Sequence, residues 1–195
     1  MILVLIGYRG TGKSAVGEVL SKRLGMRNIC MDHEIEKKAG MTTPEIVAQY
    51  GWQKFRDIES EVTRELTWFD NFILDTGGGV IERPENIKVL QSNAAVFWLK
   101  ATIETVIARI QTGTQRPALT SGKTFIEEVA EVLERRTPIY QSAAHYEIDT
   151  DDSTPEQVAE RIVEIWTLQK DTNLSPSFHV EESDMFLLQK KAGSR

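Results

Sequence analysis

The stretch that decides the fold covers residues 1–14 and reads MILVLIGYRGTGKS. Its first six residues are apolar without interruption and predict a buried β-strand. The next eight match the phosphate-loop pattern G-x-x-x-x-G-K-[ST], whose last three positions are Gly12, Lys13 and Ser14. Residues 15–24 continue with the periodicity of an amphipathic helix. Strand, loop and helix in this order predict a site for a nucleoside triphosphate.

Each residue type in this loop has a physical role. Glycine lets the backbone approach an anion closely, and successive N–H groups form a positive cradle with the helix N-terminus. Lys13 can reach the β- and γ-phosphates as a point charge, and the Ser14 hydroxyl can ligate Mg²⁺. The alternative is a glycine-rich turn that binds nothing, and the flanking strand and helix make it the weaker interpretation.

Composition predicts one α/β domain over residues 1–170. The chain has 195 residues, of which 41% are hydrophobic. A formal net charge of −6 argues against a general nucleic-acid or anionic-membrane partner. Cys30, the only cysteine, cannot form an internal disulfide, and no apolar run reaches the length of a membrane span. These observations predict a cytoplasmic protein; its oligomeric state does not follow from the sequence, and a monomer is our expectation.

Two acidic residues follow the second predicted strand, at residues 27–31. Asp32 and Glu34 are expected near the mouth of the phosphate loop, because ligands of open α/β sheets bind at the carboxyl ends of the strands. Such a pair could hold Mg²⁺ through water and accept a proton from a substrate hydroxyl. Alternatively, Asp32 only caps a following helix over residues 34–38. The sequence leaves both interpretations open.

A long helical segment is predicted over residues 43–69, with Thr43 as its N-cap and a break near Gly51. It carries Arg56 and Glu59, which are three residues apart and therefore share a face. Taken alone, these two residues are better interpreted as a solvated ion pair.

Three consecutive glycines, Gly77, Gly78 and Gly79, end the segment that begins as a strand at residue 72. Such a run is unfavourable in backbone entropy, so a ligand that approaches the bare backbone is the expected reason for it. A tight turn without a ligand is the alternative.

A candidate lid follows the next helix. Arg109 lies in the last turns of a helix predicted over residues 102–111, and the polar loop 112–123 carries Arg116. An arginine in such a loop predicts a mobile lid that brings positive charge to the transferring phosphoryl group and excludes water.

Two adjacent arginines, Arg135 and Arg136, end a helix predicted over residues 124–136. At a helix end they favour the helix dipole, and this is one interpretation. The other is an anion clamp, because a guanidinium binds a carboxylate through two parallel hydrogen bonds.

The remaining segments complete an alternation of strands and helices. Strands are predicted at residues 94–99 and 145–149, and Ser153 is the expected cap of a helix that runs to about residue 170. Residues 171–195 are predicted to be a flexible tail.

This alternation predicts a three-layer α/β/α P-loop kinase fold with a five-stranded parallel sheet and a mobile lid. The chain is small for a motor or a GTPase. It also shows no obvious apolar strand that ends in Asp and leads into a second switch motif. Phosphoryl transfer to a small molecule fits better.

Six motifs, in this order, resemble those of the shikimate kinase family. They are Gly7–Ser14, Asp32-x-Glu34, Phe55-Arg56-x-x-Glu59, Gly77-Gly78-Gly79, Arg116-Pro117 and Arg136-x-Pro138-x-Tyr140. The chain departs from the family at Glu34, where Asp is usual, at Ala15, where Thr is usual, and in the tail.

The resemblance implies transfer of the γ-phosphate of ATP to the 3-hydroxyl of shikimate, with one Mg²⁺ ion, in the route to chorismate and the aromatic amino acids. The implied catalytic residues are Lys13, Asp32 and Arg116. The implied metal ligands are Ser14 and Asp32. The implied ATP-binding residues are Gly10, Thr11, Gly12, Lys13, Ser14, Ala15, Arg109, Arg116 and Ser153. The implied substrate-binding residues are Glu34, Arg56, Glu59, Gly77, Gly78, Gly79 and Arg136. In this scheme Arg56 and Arg136 grip the substrate carboxylate, and Glu59 orients Arg56.

Two alternatives stay open. One is another small-molecule kinase, acting on gluconate or a nucleoside monophosphate, in which the two arginines bind a different anion. The other is a non-catalytic nucleotide-binding module.

Overall fold

The structure is a computed structural model that describes residues 1–111 and 125–172. Its strands are β1 (Ile2–Ile6), β2 (Arg27–Cys30), β3 (Phe72–Asp75), β4 (Ala94–Lys100) and β5 (Tyr146–Asp149). Its helices are α1 (Lys13–Leu24), α2 (Met31–Ala39), α3 (Thr43–Leu66), α4 (Pro84–Asn93), α5 (Ile103–Gln111), α6 (Phe125–Ala143) and α7 (Pro155–Thr172). A 3₁₀ turn covers Val80–Glu82. The strands are all parallel, in the order β2-β3-β1-β4-β5.

Apolar side chains of the strands point alternately to the two faces of the sheet. Ile2, Val4 and Ile6 belong to a core shared with α2, α3, α4, α5 and α6. Leu3 and Leu5 belong to a second core shared with α1 and α7. All of β1 is buried, because helices cover both faces of a parallel sheet. The predicted three-layer fold with five parallel strands is confirmed.

The start of α3 differs from the prediction by one residue. Thr42, not Thr43, is the N-cap, and it forms a capping box with Glu45. The backbone N–H of Thr42 donates to the Glu45 carboxylate at 2.7 Å, so the first turn is held from both sides. The predicted break at Gly51 is confirmed by its φ of 79°.

The predicted end of α6 was wrong. The helix was predicted to end at Arg136, but α6 continues through Pro138 to Ala143, although proline lacks the N–H for one helical hydrogen bond. The two extra turns bury Tyr140 and Ala143 in the core, and this packing outweighs one lost hydrogen bond. Arg136 therefore lies within the helix and not at its end.

None of the helices in the described ranges is long and apolar enough to cross a membrane.

Candidate active site

The carboxyl ends of three neighbouring strands meet at one edge of the sheet. The register pairs Leu5 of β1 with Asp75 of β3, and Asp75 with Cys30 of β2. The segments that follow these strands are the phosphate loop, the three glycines and the start of α2. The topology therefore brings together segments that are up to about seventy residues apart, at the edge where open α/β sheets bind ligands.

The phosphate loop has the backbone shape of an anion cradle. Gly12 is the N-cap of α1 with a φ of 90°, a left-handed conformation that glycine adopts without a steric penalty. Lys13 is buried, and its Nζ donates to the carbonyls of Gly7 at 2.9 Å and Tyr8 at 3.0 Å. A cavity of about 430 Å³ opens beside the loop, and we call it the nucleotide-side cavity. Its lining includes Gly10, Gly12, Lys13, Ser14, Ala15, Asp32, Asp75 and Arg109.

Ser14 is paired with an acid that the sequence analysis missed. Its hydroxyl donates to Asp75 Oδ2 at 2.6 Å, and Asp75 is 5% exposed. The sequence analysis found no apolar strand that ends in Asp and leads into a second switch motif; β3 is apolar up to Asp75, and three glycines follow it shortly after. The apolar strand before Asp75 is thus the sequence signal for this acid.

Thr11 and Arg109 shape the surroundings of the loop. Thr11 is buried and donates to the Tyr8 carbonyl at 2.8 Å, so its side chain braces the turn. Arg109 lines the nucleotide-side cavity and donates to the hydroxyl of Thr150 at 3.1 Å and to its carbonyl at 2.5 Å. This contact ties the end of α5 to the end of β5.

Ser153 is not brought to the cavity lining that the described residues form. Its hydroxyl accepts a hydrogen bond from Arg161. The cap of α7 is the next residue, Thr154, whose hydroxyl accepts from the backbone N–H of Gln157 at 3.3 Å. The predicted capping role of Ser153 was therefore wrong by one position.

A second cavity, of about 330 Å³, adjoins the first. Its lining includes Asp32, Trp52, Phe55, Arg56, Glu59, Gly77, Gly78, Gly79 and Arg136. The linings of the two cavities share Arg9, Cys30, Asp32, Gly77 and Gly78. Small molecules in the two cavities would therefore face each other across Asp32.

The acidic pair expected at Asp32 and Glu34 is not the pair that reaches the site. Helix α2 begins at Met31, directly after β2, so residues two apart point about 200° apart around the helix axis. Asp32 reaches both cavities, whereas Glu34 pairs with Lys37 at 3.8 Å and lies outside both linings as described. The N-cap is Cys30, so the capping role considered for Asp32 was also wrong.

Cys30, the last residue of β2, lines both cavities. Burial raises the pKa of its thiol above the ordinary value. It therefore stands at the junction as a neutral group beside the carboxylates of Asp32 and Asp75.

Arg56 and Glu59 form a buried ion pair and not the solvated one that the sequence favoured. Arg56 Nη1 donates to Glu59 Oε2 at 2.6 Å, and Glu59 is 0% exposed. Burial raises the pKa of Glu59 to about 7, although Arg56 acts in the opposite direction. Glu59 Oε1 has no hydrogen-bond partner among the described residues, so this carboxylate is only half satisfied.

The three glycines leave room for side chains of the site. A Cβ on Gly79 would lie 2.0 Å from Nη2 of Arg56, and one on Gly77 would lie 3.0 Å from Oδ1 of Asp32. The carbonyl of Gly78 accepts from Arg136 Nη1 at 3.1 Å. The bare backbone at Gly77 and Gly79 is thus needed to pack Asp32 and the guanidinium of Arg56 around one cavity.

Arg136 is 4% exposed and is held by a second residue that the sequence analysis missed. Its Nε and Nη2 donate to Glu82 Oε1 at 2.9 Å and 2.7 Å. The interpretation in which Arg136 only favours a helix dipole was wrong. The residue lies within α6 rather than at its end, and it lines the second cavity. No motif pointed to Glu82, since its importance depends on where α6 packs.

Two predicted features lie outside the described residues. One is the lid over residues 112–123 with Arg116, and the other is all of the predicted tail beyond Thr172. Residues 171 and 172 belong to the end of α7.

The comparisons with known proteins agree with this geometry. The sequence profile of the family described as shikimate kinase (SKI) matches residues 9–167. The shikimate kinase of Thermodesulfovibrio yellowstonii is 40% identical over 161 residues, which cover 83% of this chain and 92% of that protein. The shikimate kinase of Caldicellulosiruptor bescii is 35% identical over 163 residues, covering 84% of this chain and 94% of that protein.

A solved structure of a shikimate kinase has a similar fold to this chain. The shikimate kinase of Acinetobacter baumannii, in complex with shikimate, has a TM-score of 0.81 at 32% identity and covers 87% of this chain and 94% of its own. The phosphate loop, the parallel sheet and these matches along most of the chain agree, and the protein belongs to the shikimate kinase family.

Proposed function

We propose that the protein transfers the γ-phosphate of ATP to the 3-hydroxyl of shikimate, giving shikimate 3-phosphate and ADP on the route to chorismate and the aromatic amino acids. One observation carries the proposal: the phosphate-loop cavity adjoins a cavity that holds two arginines, and Asp32 lies at their junction. Shikimate is a small polyol with one carboxylate, so it needs cationic donors at one end and acceptors for its hydroxyls. The non-catalytic alternative gives no reason for this second cavity.

The nucleotide-side cavity is assigned to ATP. The backbone of Gly10, Gly12 and Ala15 with the start of α1 would hold the phosphates, and Lys13 would neutralise the charge on the transferring group. Arg109 lines the same cavity and is assigned to the adenine. Arg116 remains the proposed lid arginine.

The donors at this cavity fit Mg²⁺. Among the described residues no group of three His, Cys, Asp or Glu side chains converges on one point, so no all-protein metal cage is present there. A hydroxyl and a carboxylate, Ser14 and Asp75, lie together instead, and Asp32 lines the same cavity. This suits an ion that keeps water ligands and shares phosphate oxygens with one or two carboxylates. Bound there, Mg²⁺ would neutralise charge on the phosphates.

The second cavity is assigned to shikimate. Arg56 and Arg136 would bind its carboxylate, with Glu59 orienting Arg56. Asp32, rather than Glu34, is the acid we assign to the reacting hydroxyl, because it alone of the two reaches the junction. The three glycines would place backbone groups beside the ring.

These assignments give a balanced reaction. The 3-hydroxyl oxygen of shikimate bonds to the γ-phosphorus of ATP while the bond from that phosphorus to the bridging oxygen of ADP breaks. Asp32 accepts the hydroxyl proton, and Lys13 stabilises the charge on the leaving oxygens.

A coupled assay of ADP release tests the proposal. We expect release with ATP, Mg²⁺ and shikimate, and only background release with gluconate or a nucleoside monophosphate in its place. Removal of Mg²⁺ by EDTA should abolish turnover. ADP release that does not depend on shikimate would contradict the proposal, and release with gluconate would favour the alternative kinase. A cytoplasmic location and a monomeric state stay predictions.

A further inference from the structure

Glu82 binds both arginines of the second cavity. It ends the 3₁₀ turn that follows the three glycines, and its side chain is 23% exposed. Its Oε1 accepts from Nε and Nη2 of Arg136, and its Oε2 lies 3.4 Å from Nε of Arg56. Arg135 adds a third guanidinium contact at 2.9 Å. A single carboxylate therefore joins α3 to α6 through the two side chains assigned to the substrate.

The carboxylate contacts the arginines outside the described lining of the second cavity. Arg56 and Arg136 line the second cavity, whereas Glu82 is outside its described lining. Glu82 uses the Nε edge of each guanidinium. A guanidinium has five N–H donors, so Nη hydrogens of both arginines remain for a ligand even with Arg56 bound to Glu59 and Arg136 bound to Gly78. Glu82 and a substrate carboxylate can thus bind the same pair of arginines together.

The arginines need such a partner. Two guanidinium groups that converge on one small cavity repel each other, and both are largely removed from water. Glu59 offsets this repulsion only in part near neutral pH, because burial raises its pKa to about 7. Burial would also raise the pKa of Glu82, but Arg136 and Arg56 hold it below the ordinary value. Glu82 is therefore the carboxylate that stays ionised beside the pair.

We propose that Glu82 is a positioning residue for the acceptor: it holds Arg56 and Arg136 at the separation and orientation in which both can bind one substrate carboxylate. This inference deepens the proposed function and rests on it. It assigns to Glu82 an effect on shikimate binding and none on ATP binding, since Glu82 is also outside the described lining of the nucleotide-side cavity.

The variant Glu82→Gln tests this role, because it keeps the shape of the side chain and removes its charge. Loss of the charge weakens the hydrogen bonds that hold the two guanidinium groups, and we therefore expect the KM for shikimate to rise about 10-fold. The KM for ATP and kcat should stay within about twofold of their wild-type values, a change well below the effect on the KM for shikimate. A purely structural role would move all three values together with the melting temperature.

Asp57→Asn provides a matched control. Asp57 neighbours Arg56 on α3 and pairs with Arg83, which neighbours Glu82, so this variant breaks an ion pair between the same two segments. We expect its KM for shikimate to be unchanged.

The outcomes separate this inference from the proposed function. Wild-type enzyme without shikimate-dependent ADP release would overturn both. An active wild type with an unchanged or lower KM for shikimate in Glu82→Gln would overturn the inference alone, and a lower value would show that Glu82 competes with the substrate. Should Glu82→Gln fail to fold, Glu82→Asp keeps the charge on a shorter side chain. It should raise the KM for shikimate and not that for ATP, and an unchanged KM for shikimate would again overturn the inference.

Discussion

A methyl group on Gly79 is expected to displace the guanidinium of Arg56. An ideal Cβ there would lie 2.0 Å from Nη2, 2.4 Å from Cζ and 2.5 Å from Nη1 of Arg56. Ordinary contact begins near 3.4 Å, so in Gly79→Ala the guanidinium must retreat by about 1.4 Å, the difference between 3.4 Å and the shortest distance. Its contact with Glu59, which is 2.6 Å long, cannot survive such a shift.

Activity should suffer far more than stability in this variant. Gly79 has a φ of −109°, which alanine adopts freely, and the displaced atoms end a flexible side chain. We therefore expect a loss of at most about 1 kcal/mol in the free energy of unfolding. Misplacing a substrate-binding group by about 1 Å can lower the rate about 100-fold, and we expect kcat/KM for shikimate to fall by that order.

The assay compares four proteins: wild type, Gly79→Ala, Arg56→Ala and the double variant. ADP release is measured at saturating ATP with shikimate varied, and the melting temperature is recorded for each protein. Once Arg56 is gone the methyl group meets no guanidinium, so the double variant should be no worse than Arg56→Ala alone. Unchanged kcat/KM in Gly79→Ala, or losses that add in the double variant, would refute this reasoning.

Two further predictions concern the acids of the site. Asp32→Asn should lower kcat by at least about 100-fold while Glu34→Gln stays near wild type, because only Asp32 reaches the junction; the reverse order in the same assay would restore the sequence-based assignment. Glu59 should make stability depend on pH, since its pKa rises from 4.5 unfolded to about 7 folded. Because the folded state holds the Glu59 proton more tightly, protonated Glu59 adds roughly 3 kcal/mol at most to the free energy of unfolding. This contribution is fully present below pH 4.5 and is lost as the pH rises through 7. Relative to Glu59→Gln, wild type should therefore lose stability between pH 5 and pH 8 in chemical unfolding, and a constant difference would contradict the assignment.

Much of the fold could be predicted from sequence because its signals are local. The apolar run before the phosphate loop predicts a strand at its own position, and the structure has β1 there. Gly12 predicts a tight turn at its own position, and the structure has a left-handed N-cap there. The same holds for Gly51, where the predicted break in α3 is present.

The errors arose where a local rule gave way to the surroundings. Two acids spaced i, i+2 share a face only if they belong to a strand, and α2 begins one residue before Asp32. The helix with Arg136 was predicted to end at that residue, but α6 runs on to Ala143 and buries Tyr140 in the core.

The residues that were missed depend on contacts between distant segments. Asp75 meets Ser14 only because β3 lies beside β1 in the sheet. Glu82 meets Arg136 only because α6 packs against the 3₁₀ turn. No spacing in the sequence records either contact, although an apolar strand ending in Asp was a usable signal for the first.

The most direct test of the account is the binding of shikimate to Arg136→Ala, with Arg135→Ala as its matched control. Arg136 lines the second cavity and is 4% exposed, whereas the side chain of Arg135 is 57% exposed and lies outside that lining as described. We expect calorimetric titration to show that Arg136→Ala weakens shikimate binding about 100-fold, the worth of a buried charge-assisted pair, and leaves ADP binding within about twofold. Arg135→Ala should bind both ligands nearly as wild type does. Equal losses of shikimate and ADP binding in Arg136→Ala, or the same loss of shikimate binding in Arg135→Ala, would contradict the assignment of the second cavity to the substrate carboxylate.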